Sequence, residues 1–125
     1  MQIKNLDAAR RLVKKYRSIT REELESNAHE DDDYWHEALS RITGFGSLRN
    51  CCLCNECGYE AGGPDCTGCL YSWNKDNVNK FSVPCINQYT YCAIYIAESL
   101  DELYEAIQNR ADFIENLIKE IENDN

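Results

Sequence analysis

Six of the eight cysteines of this chain lie between Cys51 and Cys69, and this segment constrains the fold more than any other. Two Cys-x-x-Cys pairs, Cys54/Cys57 and Cys66/Cys69, flank a Gly-Gly-Pro turn, and a third pair, Cys51/Cys54, overlaps the first. Two such pairs are typical of a tetrahedral zinc site, because each short loop lets both thiolates face the metal. The sequence therefore predicts a structural Zn²⁺ held by four cysteines.

Two ligand sets fit this segment, because Cys54 belongs to two of the pairs. One set joins Cys54 and Cys57 to Cys66 and Cys69, and the other uses Cys51 in place of Cys57 and encloses a longer loop. An arginine near the segment, Arg41 or Arg49, is expected to offset the negative charge of four thiolates on one Zn²⁺. The spacing alone leaves the fourth ligand open.

The remaining cysteines, Cys52, Cys85 and Cys92, lack paired spacing, which favours one metal over two. We expect them to be small buried hydrophobic residues or to join the leftover cysteine in a second site. A catalytic zinc would keep an open position and often use histidine, but the two histidines, His29 and His36, lie apart in an acidic stretch. With no phosphate-binding glycine loop and no nucleophile elbow, the sequence predicts that the protein is not an enzyme.

Length and composition favour a single, mainly α-helical domain over residues 1–125. We divide it into N-terminal helices (1–46), a knuckle- or ribbon-like zinc-binding insert (47–88) and C-terminal helices (89–125). No apolar run approaches the roughly 18 residues of a membrane span, and the N-terminus lacks the apolar core of a signal peptide. We therefore expect a cytoplasmic protein with no membrane partner, since paired cysteines in a reducing compartment favour metal over disulfides.

Periodicity and capping signals predict three helices before the cysteine segment. Asn5 is expected to cap the first, in which apolar residues recur at helical spacing from Leu6 to Tyr16. Thr20–Glu23 is a capping box that opens a short second helix. The third helix is expected to begin at Tyr34 and to end at Gly44, because glycine tolerates positive φ.

Two further helices are predicted after the cysteine segment. Tyr89–Ala97 is ambiguous between helix and strand, and we favour a helix capped by Thr90. Ser99–Glu102 is a second capping box and opens the longest helix, which reaches about Ile121. Its apolar stripe is interpreted as core rather than as the seam of a homodimer, because Arg110 interrupts the heptad-like steps.

The net charge of −9 is unevenly distributed. Residues 1–21 carry seven Lys/Arg against one Asp, whereas residues 22–37 carry eight Asp/Glu and no Lys/Arg. The basic residues are interpreted as a solvated helix face rather than as a patch for an acidic partner, and the acidic segment of the same chain is one candidate to face them. The run His29–Asp33 is interpreted as capping a helix dipole rather than binding a cation, because it lacks the alternating acids and central glycine of a calcium loop.

Three stretches outside the cysteine segment follow one another in a characteristic order: Lys15–Thr20, then Ile42–Gly46, then Thr90–Ile94 with the final Asn109–Ala111. This order resembles small cysteine-rich proteins encoded by bacteriophages and prophages, and the resemblance covers most of the chain. It implies that the first metal pair is Cys51/Cys54 and the second Cys66/Cys69. Cys52 and Cys57 depart from that pattern. Phage origin further implies a protein that binds and blocks a host protein.

The leading hypothesis is a zinc-stabilised acidic binding protein that inhibits a host defence or regulatory factor in the host cytoplasm. Its acidic surface, Glu22–Glu37, would face a host protein with a basic groove. The overall acidity argues against a nucleic-acid partner. A nucleic-acid-associated zinc module is therefore only an alternative, and its contacts would be Arg10, Arg11, Lys14 and Lys15. A small-molecule-binding or redox thiol protein is a further alternative, although no β-α-β setting for a redox Cys-x-x-Cys is present.

Overall fold

The computed structural model describes Ile3, residues 5–45 and residues 89–123, together with the backbone of four residues in the cysteine segment. These parts of the chain are mainly helical, as the sequence predicts. The elements are α1 (Leu6–Ser18), α2 (Arg21–Asn27), α3 (His36–Thr43), β1 (Tyr59–Glu60), β2 (Gly63–Pro64), α4 (Tyr89–Tyr95) and α5 (Leu100–Asn123).

The cysteine segment is described only at the two short strands. They pair antiparallel, with Tyr59 opposite Pro64 and Glu60 opposite Gly63, so the chain reverses between them. The sequence predicts this reversal at Gly62-Gly63-Pro64, whereas Gly63 and Pro64 lie in β2, so the reversal precedes these two residues. The candidate ligands lie outside the described residues, as does the rest of the predicted zinc-binding insert: Cys51, Cys54, Cys57, Cys66 and Cys69.

The long helix α5 is the centre of the helical core. It has 24 residues, about 36 Å at the usual helical rise, and it packs against α1, α2 and α4. Its contact with α1 is the most extensive, and the fully buried Ala8 and Ala9 allow the two helices to approach closely. The interpretation of the α5 stripe as core is confirmed, because Leu100 at its start is half-buried and its other seven residues are buried within the chain. They are Leu103, Ile107, Ala111, Ile114, Leu117, Ile118 and Ile121.

The hydroxyl half of each predicted capping box is present in the structure, whereas neither glutamate returns a hydrogen bond to the amide of its cap residue: Glu102 accepts from the Glu98 amide, and Glu23 pairs with Lys15. The hydroxyl of Thr20 accepts a hydrogen bond from the Glu23 amide at 3.1 Å, and the hydroxyl of Ser99 accepts one from the Glu102 amide at 3.1 Å. Gly44 ends α3 with φ of 78°, in the left-handed region that glycine enters without a Cβ clash. These local signals place the starts of α2 and α5 and the end of α3.

Three predicted helix starts need correction. Asn5 precedes α1, but its buried side chain makes no capping hydrogen bond; its carbonyl accepts from the Ala9 amide. The third helix begins at His36 rather than at Tyr34. Thr90 lies inside the first turn of α4 rather than at its cap, and its hydroxyl accepts a hydrogen bond from Arg110. A tertiary contact therefore takes the hydroxyl that the sequence pattern assigned to the backbone.

Candidate functional site: an acidic and aromatic surface

The loop between α2 and α3 and the start of α3 form the most distinctive surface of the described chain. We call this the acidic–aromatic surface and define it as residues 29–36 together with Tyr95 of α4. It combines consecutive carboxylates with three aromatic residues and two histidines. Apart from Tyr95, it lies within Glu22–Glu37, the acidic region that the sequence predicts as a partner-binding surface.

Arg41 of α3 fixes the shape of this loop. Its guanidinium binds both carboxylate oxygens of Asp32, with one contact at 2.6 Å, and donates to the carbonyl of Asn27 at 2.8 Å. The carboxylate of Asp32 also accepts from the His29 amide at 2.8 Å. One side chain therefore joins the end of α2, the middle of the loop and α3, which pre-organises the carboxylates that follow.

The pairing with Arg41 also sets the ionisation of Asp32. The hydrogen bonds from Arg41, followed by that from the His29 amide, hold the pKa of Asp32 far below its usual range. The same hydrogen bond to Asp32 raises the pKa of Arg41. The sequence predicts that Arg41 or Arg49 lies near the metal thiolates. In the structure Arg41 binds the acidic loop. Arg49 and the candidate cysteines lie outside the described residues, so this expectation stays a prediction.

The stacked rings of Tyr34, His36 and Tyr95 form the exposed side of this surface. The rings of His36 and Tyr95 have centroids 4.4 Å apart and are nearly parallel, and the Nδ1 of His36 lies 3.2 Å from the Tyr95 carbonyl oxygen. Tyr34 stacks on the same pair, with centroids 5.5 Å from His36 and 6.0 Å from Tyr95. Tyr34 remains 54% exposed, so its ring is held in place while much of it faces solvent.

The aromatic contacts continue from this stack toward the core. The ring of Phe45 lies edge-on to His36 and packs on Tyr91, with centroids 4.6 Å apart. Tyr91 in turn lies 5.9 Å from the guanidinium of the buried Arg110. The exposed stack is therefore continuous with packed side chains of α3, α4 and α5, which favours one rigid arrangement.

A recess of about 210 Å³ opens beside Tyr34. Its lining combines carboxylates with aromatic rings, and Tyr34 belongs both to the recess and to the stack. The lining residues are Ala28, His29, Asp32, Asp33, Tyr34 and Trp35. Concave sites with apolar walls and a few polar groups are the usual form of a binding site for a small group.

A metal ion is a poor fit to this loop. Donor atoms of His29, Asp31 and Asp32 lie within 4.8 Å of one another, which is a spacing that a metal could bridge. However, Asp32 already binds the guanidinium of Arg41, whose positive charge would oppose a second cation beside it. This geometry supports the interpretation of the acidic run as something other than a cation site.

The basic side chains of the first helices are largely paired with carboxylates. Arg10 binds Asp7 and Glu122, and Arg17 binds Asp112 at 2.8 Å and Glu115 at 2.5 Å. These contacts raise the pKa of both arginines. The expectation that this face meets the acidic segment of residues 22–37 is therefore mostly wrong. Lys15 does reach Glu23, at 3.8 Å, but the other pairs just given join α1 to α5 or to itself.

Most carboxylates of the acidic segment (residues 22–37) are unlike these arginines in that they lack a charged partner among the described residues. Five of them are exposed and form no salt bridge with any residue that the structure describes. They are Glu22, Glu25, Glu30, Asp31 and Asp33. The described part of the chain thus satisfies most of its cations internally and presents unpaired negative charge around the acidic–aromatic surface.

The stack with Tyr95 was missed by the sequence analysis, although a signal for it exists. Tyr91 and Tyr95 are four residues apart, so a helix places both on one face. Cys92, which was expected either to be buried or to join a second metal site, is exposed on α4, so the first of these alternatives is wrong for Cys92. Cys52 and Cys85 lie outside the described residues.

No protein-family model, no curated protein and no solved structure matches this chain. None of the described helices combines the length and the apolar composition needed to cross a membrane.

Proposed function

We propose that this chain is a zinc-stabilised acidic binding protein that recognises a basic protein surface through the acidic–aromatic surface. One observation carries the proposal: the exposed acids Asp31 and Asp33 lack salt bridges to described residues, whereas Arg10, Arg17 and Arg41 are paired within the chain. A surface of this kind attracts a basic partner and steers its approach. The protein acts by binding, and catalysis forms no part of the proposal.

The resemblance to cysteine-rich phage proteins supports a specific form of this function. A small acidic protein of phage origin would bind a basic groove of a host defence or regulatory factor and exclude its normal ligand. The zinc held by the cysteine segment would be structural, because metal binding contributes directly to the folding of a loop with little apolar surface. The host cytoplasm is the expected location.

The paired cations make the nucleic-acid alternative weaker. Binding to a phosphate backbone would use Arg10, Arg11, Lys14 and Lys15 of α1. Arg10 and Lys15 already contact carboxylates, and Arg11 also has an interaction within the chain. A nucleic acid would have to displace these intramolecular contacts before it could bind.

A peptide-binding experiment tests the proposal. The folded protein is titrated against a synthetic array of peptides whose net charge ranges from acidic to strongly basic, at low and high salt. We expect binding to be confined to basic peptides and to weaken with salt. The double variant Asp31→Asn/Asp33→Asn should weaken binding about tenfold, at roughly 0.7 kcal/mol for each exposed charge.

The matched control is Glu105→Gln/Glu120→Gln. It removes the same charge from exposed positions on α5 that are not among the residues of the acidic–aromatic surface. Affinity should stay within about twofold of the unmodified protein, because these charges do not contact the partner. An equal loss in both variants, or no binding to any basic peptide, would contradict the proposal.

A further inference from the structure

The recess beside Tyr34 has the two features that hold a planar cation. An aromatic face attracts a cation through its quadrupole, and a neighbouring carboxylate supplies a charge-assisted hydrogen bond. Tyr34 and Trp35 line the recess, and Asp33 lies beside them. Because Tyr34 is held by His36 and Tyr95, its ring does not need to be ordered when a partner arrives.

The charge of the recess is also suitable. Asp32 is already neutralised by Arg41, but Asp33 is exposed and has no salt bridge to a described residue. One carboxylate at the recess is therefore available to a partner, and Asp31 lies next to it in the chain. A cation entering the recess would meet an unpaired negative charge rather than break an existing pair.

The chain itself holds a guanidinium in a similar arrangement elsewhere. The guanidinium carbon of Arg21 lies 4.7 Å from the centroid of the Tyr104 ring, and its Nε lies 3.0 Å from the carboxylate of Asp101. That site combines a tyrosine face and an aspartate, as Tyr34 and Asp33 do. The internal example shows that this pair of groups accommodates an arginine side chain.

We propose that the recess formed around Asp33, Tyr34 and Trp35 takes the guanidinium of an arginine from a basic protein partner, stacked on Tyr34 and paired with Asp33. This rests on the proposed function and names the partner group that the acidic–aromatic surface recognises. Arginine fits better than lysine, because its guanidinium is planar, weakly hydrated and able to stack while it donates two hydrogen bonds. The recess would thus favour basic segments that contain arginine over those that contain lysine, which long-range charge attraction alone does not distinguish.

Three peptides that differ only at their basic positions test the proposal. The first carries arginine, the second carries lysine at the same positions, and the third carries citrulline, which keeps the shape of arginine without its charge. Affinity is measured by calorimetry with the full chain. We expect the arginine peptide to bind about three- to thirtyfold more tightly than the lysine peptide, and the citrulline peptide to bind most weakly.

Variants of the recess make the test specific. Tyr34→Ala should reduce the affinity for the arginine peptide about three- to thirtyfold and remove most of its advantage over lysine. Tyr34→Phe keeps the ring and should stay within about twofold of the unmodified protein. Tyr89→Ala removes a more exposed tyrosine, 75% accessible and not part of the recess lining, and should have no effect.

The outcomes separate this proposal from the one on which it rests. Equal binding of the arginine and lysine peptides, with Tyr34→Ala no weaker than Tyr89→Ala, would overturn the guanidinium site and leave the acidic binding protein standing. If neither basic peptide binds, both proposals fail. Circular dichroism of each variant shows that the helices are intact, so a loss of binding reports on the recess.

Discussion

The guanidinium of Arg110 donates a hydrogen bond to the hydroxyl of Thr90 at 2.9 Å, in the buried contact between α5 and α4. Arg110 is 3% exposed and Thr90 is 2% exposed. The rings of Tyr91 and Phe113 each lie 5.9 Å from the same guanidinium. A residue that interrupts the apolar stripe of α5 in the sequence thus has a structural role, because it ties the C-terminal helix pair together.

Replacing Thr90 by valine should destabilise the protein by about 1–3 kcal/mol, because a buried N–H of Arg110 loses its acceptor without a change in side-chain shape. Thr90→Ser keeps the hydroxyl and should cost less. Urea denaturation of the three proteins measures the free energy of unfolding. A Thr90→Val protein as stable as the unmodified chain would show that this hydrogen bond is dispensable.

How far the sequence predicted the fold depends on the range of the signal. The cap hydroxyls of Thr20 and Ser99 and the glycine at Gly44 are local signals, and the structure confirms them. Thr90 also looks like a cap, but its acceptor role is set by Arg110, twenty residues away. A local sequence pattern cannot show whether the Thr90 hydroxyl caps its own helix or accepts from Arg110, since this depends on how the helices pack.

The candidate site likewise combines local features that the sequence shows with contacts between distant residues that it does not show. The acidic run is visible in the sequence, but its organisation depends on Arg41, which closes the loop from nine residues away. The contact between His36 and Tyr95 spans 59 residues and joins two separate helices. A pattern within one helix identifies Tyr95 as part of an aromatic face, whereas only the packing of α3 against α4 identifies its neighbour.

The ion pairs of Arg17 should contribute a small, salt-sensitive share of stability. Its guanidinium contacts Asp112 and Glu115 of α5, and the side chain is 40% exposed. Because exposed pairs are screened by water, Arg17→Ala should cost only about 0.5–1 kcal/mol at low salt and less at high salt. Chemical denaturation at two salt concentrations measures both values.

Lys14→Ala is the matched control for Arg17→Ala. Lys14 is exposed on the same helix and has no salt bridge to a described residue. Its replacement removes the same charge and should leave stability within about 0.5 kcal/mol of the unmodified protein. If the two variants lose equal, salt-independent stability, the contacts between Arg17 and α5 are not a stabilising factor.

Asp32→Asn should flatten the acid dependence of stability. The Arg41 hydrogen bonds hold the pKa of Asp32 below its usual value of 3.8, so below that value the unfolded chain binds more protons than the folded one. The contribution of Asp32 is therefore present above its usual pKa and is lost as the pH falls toward the folded value. Urea unfolding between about pH 5 and pH 2 should show a shallower decline for the variant.

Asp33→Asn is the control for this pH experiment, because it removes a neighbouring carboxylate and leaves the pair of Asp32 with Arg41 in place. The comparison of interest is the slope of unfolding free energy against pH in the two variants. Identical slopes would mean that pairing with Arg41 does not lower the pKa of Asp32 in the folded protein. A shallower slope in Asp32→Asn alone would place the effect at the Arg41 pair.

The predicted zinc site can be tested by native mass spectrometry of single cysteine variants. We expect one Zn²⁺ per chain, lost in Cys66→Ser and Cys69→Ser, because a tetrahedral site with a missing thiolate binds zinc poorly. The resemblance favours Cys51 over Cys57 as the fourth ligand, so Cys51→Ser should lose the metal and Cys57→Ser should retain it. The control is Cys92→Ser, at an exposed position on α4.

Removal of the metal should affect the insert and spare the helical core. The buried cluster joins Leu12 of α1 to Leu103 and Ile114 of α5, which lie in the described ranges on either side of residues 47–88. Because zinc binding contributes to folding where apolar burial is small, a chelator should increase protease cleavage within 47–88 while most helical circular dichroism remains. Metal-free protein purified under reducing conditions, with an equally resistant insert, would refute the zinc site. Collapse of the helical signal on chelation would instead show that the metal also stabilises the contact between α1 and α5.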